Sequence, residues 1–135
     1  MIKLLDILEN KILVPLRSKE ERAKNYLIAT QKKIQQYMKN GGKGDLNLYG
    51  APITSLPSGL SVGGYLSLYG TPITSLPSGL TVGGDLNLNN TKITSLPSGL
   101  TVGGYLDLAN TPLSKSHNVE QIRQMVPGVK GNILI

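Results

Sequence analysis

The segment ITSLPSGL stands at residues 53–60, again at 73–80 and again at 93–100, each copy twenty residues after the last. Around it the unit reads G-[DY]-L-x-L-x-x-[AT]-x-I-T-S-L-P-S-G-L-[ST]-V-G, with full copies at 44–63, 64–83 and 84–103. A fourth copy begins at Gly104 with YLDLANTPL and departs after Leu113. A partial fifth closes the sequence, with residues 129–135 aligning on residues 102–108. Self-similarity at a fixed short period is the mark of an architecture built by stacking one unit on the next.

The unit itself says what is stacked. Its six apolar positions in the second copy are Leu66, Leu68, Ile73, Leu76, Leu80 and Val82. Leu66-Ser67-Leu68 alternates as a strand with one buried face does. Gly63-Gly64 ahead of it allows a sharp corner and a close backbone approach. Pro77 has no N–H to offer a ladder and holds φ near −65°, which suits an extended or turning back. Gly79 can take positive φ and return the chain. One unit is therefore one coil. A lone coil has no lid for its apolar side chains, whereas stacked coils bury them against each other. Each buried aliphatic side chain then contributes ~1.5–3 kcal/mol.

The motif L-x-L-x-x-T-x-I-x-x-L-P-x-x-L resembles the short, twenty-residue leucine-rich repeats of bacterial and phage proteins, in the variety LPxGLxVGGxLxLxxTxI. It is also similar to the repeats of bacterial secreted effectors that carry helices before the repeats. The resemblance covers residues 44–113 well and 129–135 partly. It implies an α/β leucine-rich-repeat solenoid with a parallel sheet on one face. Where the family often has Asn, this chain has Ala51, Thr71, Thr91 and Thr111. A buried Asn ladder joining adjacent backbones is therefore absent, and the threonine hydroxyls are expected to do part of that work.

A solenoid needs caps, because its terminal coils expose apolar faces. Residues 1–43 are read as a basic N-terminal cap of two helices, and residues 44–135 as the solenoid. Ile2, Leu4, Leu5, Leu8, Ile12 and Leu13 suggest a first helix ending before Pro15. Ser18-Lys19-Glu20-Glu21 has the form of a capping box that opens a second. Ala23, Leu27, Thr30, Ile34 and Tyr37/Met38 then mark one helix face, and Asn40-Gly41-Gly42 stops it. Near the other end, Val119, Ile122, Met125 and Val126 predict one helix over about 116–126, ended by Pro127-Gly128. A final strand over 132–135 is expected to leave an open edge, a place for self-contact or assembly.

Composition narrows the function. The 135 residues include 14 Lys and Arg, 8 Asp and Glu and one His, with no Cys, Trp or Phe. No disulfide, thiolate nucleophile or Cys-ligated metal is possible, and His117 alone makes no metal cluster. No cofactor or metal is expected. The Cys-dependent ubiquitin-ligase activity found in some effectors of this repeat class cannot be carried over. No apolar run approaches the ~18 residues of a membrane span. Residues 1–16 are interrupted by Asp6, Glu9, Asn10 and Lys11, unlike a secretion signal. A protein of the bacterial or host cytoplasm, or of a virion, is expected. Charge is uneven: residues 1–43 hold ten Lys and Arg against four Asp and Glu, whereas residues 44–113 hold Lys92 against Asp45, Asp85 and Asp107.

Outward positions of the strands line up in three columns: Asp45, Tyr65, Asp85, Tyr105; then Asn47, Ser67, Asn87, Asp107; then Tyr49, Tyr69, Asn89, Ala109. Tyr side chains beside carboxylates are good recognition chemistry, because Tyr offers rigid contact area and a hydroxyl. The face is modest, roughly 20 by 17 Å or 340 Å² from strand dimensions. A standard protein interface takes ~800 Å² per partner. Arg17, Lys24, Lys32 and Lys39 form a basic surface on the second helix, a candidate for nucleic acid or an acidic surface. No converging acid, base and nucleophile appear, and an open flat face excludes no water. The expectation is a non-catalytic module that binds another protein. The alternatives are a structural component of a larger assembly such as a phage virion, and nucleic-acid binding through the basic helices.

Overall fold

A computed structural model describes residues 18–135. The expected first helix and Arg17 lie outside these residues. Helix α1 (Lys19–Lys39) starts where the Ser18 side chain accepts a hydrogen bond from the Glu21 N–H, 3.2 Å. Glu20 and Glu21 in its first turn and Lys39 in its last complement the helix dipole. It ends at Asn40, and Gly41 and Gly42 carry the chain away with φ of 87° and 67°.

Each coil that follows contributes to two parallel sheets. The first sheet runs in the order β1 (Leu46–Asn47), β3 (Leu66–Ser67), β5 (Leu86–Asn87), β7 (Leu106–Asp107), β9 (Ile133–Leu134). The second runs β2 (Ser61–Val62), β4 (Thr81–Val82), β6 (Thr101–Val102), β8 (Gly128–Val129). Leu46 pairs with Leu66 and Leu66 with Leu86, so the sequence period is the sheet register. The chain is a β-solenoid capped by a helix. Its second sheet was not anticipated: two residues wedged between turns are too short for alternation to reveal a strand.

The first sheet's strands are short, but their hydrogen bonding continues past them. The N–H groups of Leu48 and Gly50 donate to Ser67 O and Tyr69 O at 2.8 Å each. Residues 49–50, 69–70, 89–90 and 109–110 then turn, with positive φ at Gly50, Gly70, Asn90 and Asn110. These are the two residue types that a type II turn accepts at its third position. The core is a stack of aliphatics: Leu66, Leu86 and Leu106 are all 0% exposed, as are Leu68, Leu88 and Leu108. No large ring is needed in so narrow an interior.

The threonine column departs from expectation. Thr71, Thr91 and Thr111 are buried, but their hydroxyls donate to Leu68 O, Leu88 O and Leu108 O of the same coil, at 2.8, 2.8 and 2.6 Å. They tie each coil's turn and do not join neighbouring coils. The hydroxyl is too short to reach the next backbone once its own turn offers a carbonyl. Thr91→Val is expected to cost ~1 kcal/mol, the net value of one buried bond plus the orphaned carbonyl. Urea unfolding of the variant measures this, and unchanged stability would remove the hydroxyl from the account.

The last full coil is longer. Leu106 pairs with Ile133, twenty-seven residues on rather than twenty. The extra length holds two helices, α2 (Pro112–Ser116) and α3 (Val119–Met125), where the sequence pointed to one over 116–126. Thr111 and Asn118 each form a reciprocal cap, with Ser114 and Gln121, and Pro112 occupies a first-turn position. Two start signals seven residues apart make two helices. Val126 falls outside α3 but is buried beneath it, and the strand that follows α3 begins at Gly128. The final strand is Ile133–Leu134, shorter than 132–135.

Helix α1 is fastened to the first coil by its C-terminal half. Thr30 and Ile34 are buried, while residues 18–26 are exposed, Ala23 among them. The Tyr37 hydroxyl lies 2.8 and 2.6 Å from the Gly42 and Gly44 carbonyls and accepts from the Gly63 N–H at 3.3 Å. Lys33 Nζ donates to Asn47 O at 2.6 Å, pinning the helix to β1.

Candidate functional site: the strand face

The twenty-residue register stacks the columns as expected, but five of their residues turn one side-chain oxygen back to the backbone. Asp45 Oδ1 accepts from Tyr65 N–H at 2.8 Å, and Asp85 Oδ1 accepts from Tyr105 N–H at 2.9 Å. Each carboxylate folds over the glycine that precedes the next strand, so a Cβ at Gly64 or Gly104 would strike it. Each of these two Asp residues thus serves a backbone N–H one coil on, which is that of a Tyr in both cases. Asn47, Asn87 and Asp107 accept from the N–H groups of Tyr49, Asn89 and Ala109 at 3.0, 2.9 and 3.0 Å, closing Asx turns.

The third column lies beyond the strands, at the start of the turns. There Tyr49 and Tyr69 stack with ring centroids 5.1 Å apart and planes 1° from parallel. That is near the ~4.8 Å step between strands. Asn89 reaches across to Asp107, Nδ2 to Oδ2 at 3.3 Å, and accepts from Asn110 Nδ2 at 3.2 Å. Asn110 had not been singled out, because its turn position was hidden inside a degenerate part of the repeat.

Between these two groups the face sinks. Tyr65, Ser67, Asp85, Asn87 and Tyr105 line a hollow of about 350 Å³. Sequence columns placed these five residues on one face without showing a concavity. It arises because Ser67 is the smallest residue of the second column, between larger neighbours. Asp45 is not part of this hollow.

Lys24, Lys32 and Lys39 are exposed on α1. Lys33, which the sequence did not mark, is the lysine that touches the face. His117 ends α2 with Nδ1 2.7 Å from Ser116 Oγ. A second depression, about 610 Å³, lies between α1 and the back of the first coil, walled by Leu27, Ile34, Pro52, Ile53 and Leu56 among others. At the far end of the sheet, Leu134 and Ile135 are 44% and 49% exposed. Among the described residues no group of three or more His, Cys, Asp and Glu could hold a metal ion, and no helix is long and apolar enough to cross a membrane. Compared with protein-family models, with curated proteins and with solved structures, the chain matches none of them.

Proposed function

We propose that this chain is a small non-catalytic protein-binding module of the leucine-rich-repeat kind, working through its strand face. The repeat-family part of the reading is supported by the LPxGLxVGGxLxLxxTxI motif and by a sheet register equal to its period. The binding part is carried by one observation: the aromatic side chains on this face are not core. Tyr49, Tyr65 and Tyr105 are 62%, 37% and 39% exposed on a rigid sheet, whereas the buried side chains of the coils are aliphatics, threonines and a serine. Rigid, exposed Tyr side chains are the residue type that anchors protein interfaces at low entropy cost. The ordered carboxylates and amides between them fix the shape of the platform, its hollow included. The basic side of α1 supplies further area, since the sheet face alone is small.

The test uses the double variant Tyr65→Ala/Tyr69→Ala, immobilised beside the wild type and exposed to a lysate of the source cell, with bound proteins identified by mass spectrometry. Both side chains stand outside the core, so the fold is expected to survive, as circular dichroism would check. A true partner is expected to lose at least about tenfold in capture, the scale of a lost hot spot. Undiminished capture by the double variant would remove the strand face from the reading.

A further inference from the structure

We propose that the hollow between Tyr65 and Tyr105 is a subsite for the guanidinium group of an arginine presented by a partner polypeptide. This rests on the reading of the strand face as a protein-binding surface, and it names the chemistry that surface selects.

Three features converge. The first is the walls. Tyr65 and Tyr105 precede β3 and β7, two coils apart in the sheet, which sets their backbones roughly 9.6 Å apart. Both side chains line the hollow. A flat group held between two aromatic side chains needs ~7–8 Å between them, which a two-coil step has room for. Guanidinium is planar and stacks on aromatic faces.

The second feature is the charge. Asp85 stands between the two Tyr residues and lines the hollow. Its Oδ1 is held by the Tyr105 N–H, which fixes the carboxylate in place, and its Oδ2 makes no hydrogen bond among the described residues. No Lys or Arg lines the hollow to neutralise it. An anionic ligand is therefore disfavoured, and a cation is drawn in.

The third is an accessible hydroxyl. Ser67 is only 9% exposed, and no fully buried side-chain oxygen among the described residues lacks a partner, so its Oγ, which makes no hydrogen bond among them, is open to a ligand. The atoms of Ser67 that remain accessible are those lining the hollow. Ser67 Oγ and Asp85 Oδ2 thus offer two acceptors to a ligand rich in donors. A fork of N–H groups matches two separate acceptors, whereas an ammonium is a point charge with no flat face. Asn87 has its Oδ1 committed to Asn89 N–H, leaving its amide N–H groups free for a backbone carbonyl of the bound segment.

The test is a nuclear magnetic resonance titration of the full chain, nitrogen-15 labelled, with the peptide acetyl-Gly-Gly-Arg-Gly-Gly-amide. The control replaces Arg by citrulline, which keeps shape and loses charge. The arginine peptide is expected to shift the amide signals of Ser67, Asp85, Asn87 and Tyr105 with millimolar affinity, and the citrulline peptide to bind about tenfold more weakly. Asp85→Asn keeps an oxygen for the Tyr105 N–H, so the coil is retained while the charge is lost. It is expected to abolish the preference for arginine, and Asp45→Asn, outside the hollow, to preserve it. Tyr65→Leu/Tyr105→Leu, which keeps bulk and removes the aromatic faces, is expected to weaken arginine binding several-fold. Equal binding of the two peptides, no binding of either, or arginine binding unchanged in Asp85→Asn would each overturn the proposal. If that happens while Tyr65→Ala/Tyr69→Ala still abolishes partner capture, the face binds protein but does not select guanidinium.

Discussion

Gly103→Ala is expected to destabilise the protein by about 3 kcal/mol or more, against about 1–2 kcal/mol for Gly50→Ala. The two glycines are needed for opposite reasons. Gly50 has a φ of 65° with nothing within 4 Å of the place a Cβ would take, so only the left-handed backbone resists a side chain. Asn90 and Asn110 hold the equivalent positions at φ of 61° and 58°, which shows that the site tolerates one. Gly103 is not in the left-handed region, and its own backbone would accept alanine. Its Cβ, however, would run into the carbonyl oxygen of Gly83 in the preceding coil. That oxygen belongs to a backbone that cannot yield alone. The Gly103 N–H donates to Val82 O at 2.8 Å and the Gly104 N–H to Gly84 O at 2.9 Å. Moving the coils apart breaks both bonds and loosens the aliphatic stack beside them. The same relation links Gly83 to Gly63, so the corner is a column of glycines touching backbone to backbone. Urea unfolding followed by circular dichroism measures the difference. A Gly103→Ala cost no larger than that of Gly50→Ala would sink the close-approach account.

The twenty-residue identity was enough to read the coil, the stacking register and the aliphatic interior. Leu46, Leu66 and Leu86 pair in the register that the repeats set. Periodicity reports which way a side chain points, and that is why the columns of the strand face were legible. It does not report where a side chain's terminal atoms go. Asp45 and Asp85 point outward as read, but each returns one oxygen to a neighbouring backbone N–H. The second sheet escaped because Thr81–Val82 is too brief to alternate. The division of the C-terminal helix escaped because apolar spacing over 119–126 outweighed two local caps at Thr111 and Asn118. The hollow escaped for a different reason. The column Asn47, Ser67, Asn87 gives the relative sizes, but a concavity depends also on where the flanking Tyr65 and Tyr105 side chains go, which periodicity does not report.

Repetition also governs what the face can become. The core positions vary little because every coil must fit the one before. Outward positions are free of that constraint, and there the copies differ: Tyr, Tyr, Asn and Ala in one column, and Asp and Tyr alternating in another. The result is a rigid lattice with a distinct feature at each place, an aromatic stack at Tyr49 and Tyr69 and a hollow around Ser67. A lattice of this kind is pre-ordered, so a ligand that fits it does not have to order the protein as well.

The second large effect is expected at Leu86, where replacement by Ala should cost about 3–5 kcal/mol. Leu86 is 0% exposed and stands between Leu66 on one side and Leu106 on the other. In a solenoid each coil is stabilised by its own folding and by its two neighbours. A cavity in the central coil weakens two such interfaces together. Ile133, 6% exposed in the last coil, pairs with Leu106 on one side, and Ile133→Ala is expected at the low end, about 2 kcal/mol. A domain of ordinary stability holds only about 5–15 kcal/mol in total. Leu86→Ala is therefore expected to show a transition at markedly lower urea, and to lose cooperativity as the coils on either side of the cavity uncouple. Ile133→Ala is expected to keep a single transition and fray from one end. Hydrogen exchange separates the two outcomes. In Leu86→Ala, protection should fall together at Leu66 and Leu68, whose N–H groups donate to Asp85 O and Asn87 O, and at Leu88, whose N–H donates to Asp107 O, on both sides of the damaged coil. In Ile133→Ala it should fall first at Leu106 and Leu108, whose N–H groups donate to Asn132 O and Leu134 O. Equal costs at the two positions would mean that the coils are not coupled through their shared leucine column, and the nearest-neighbour account of this fold would fail.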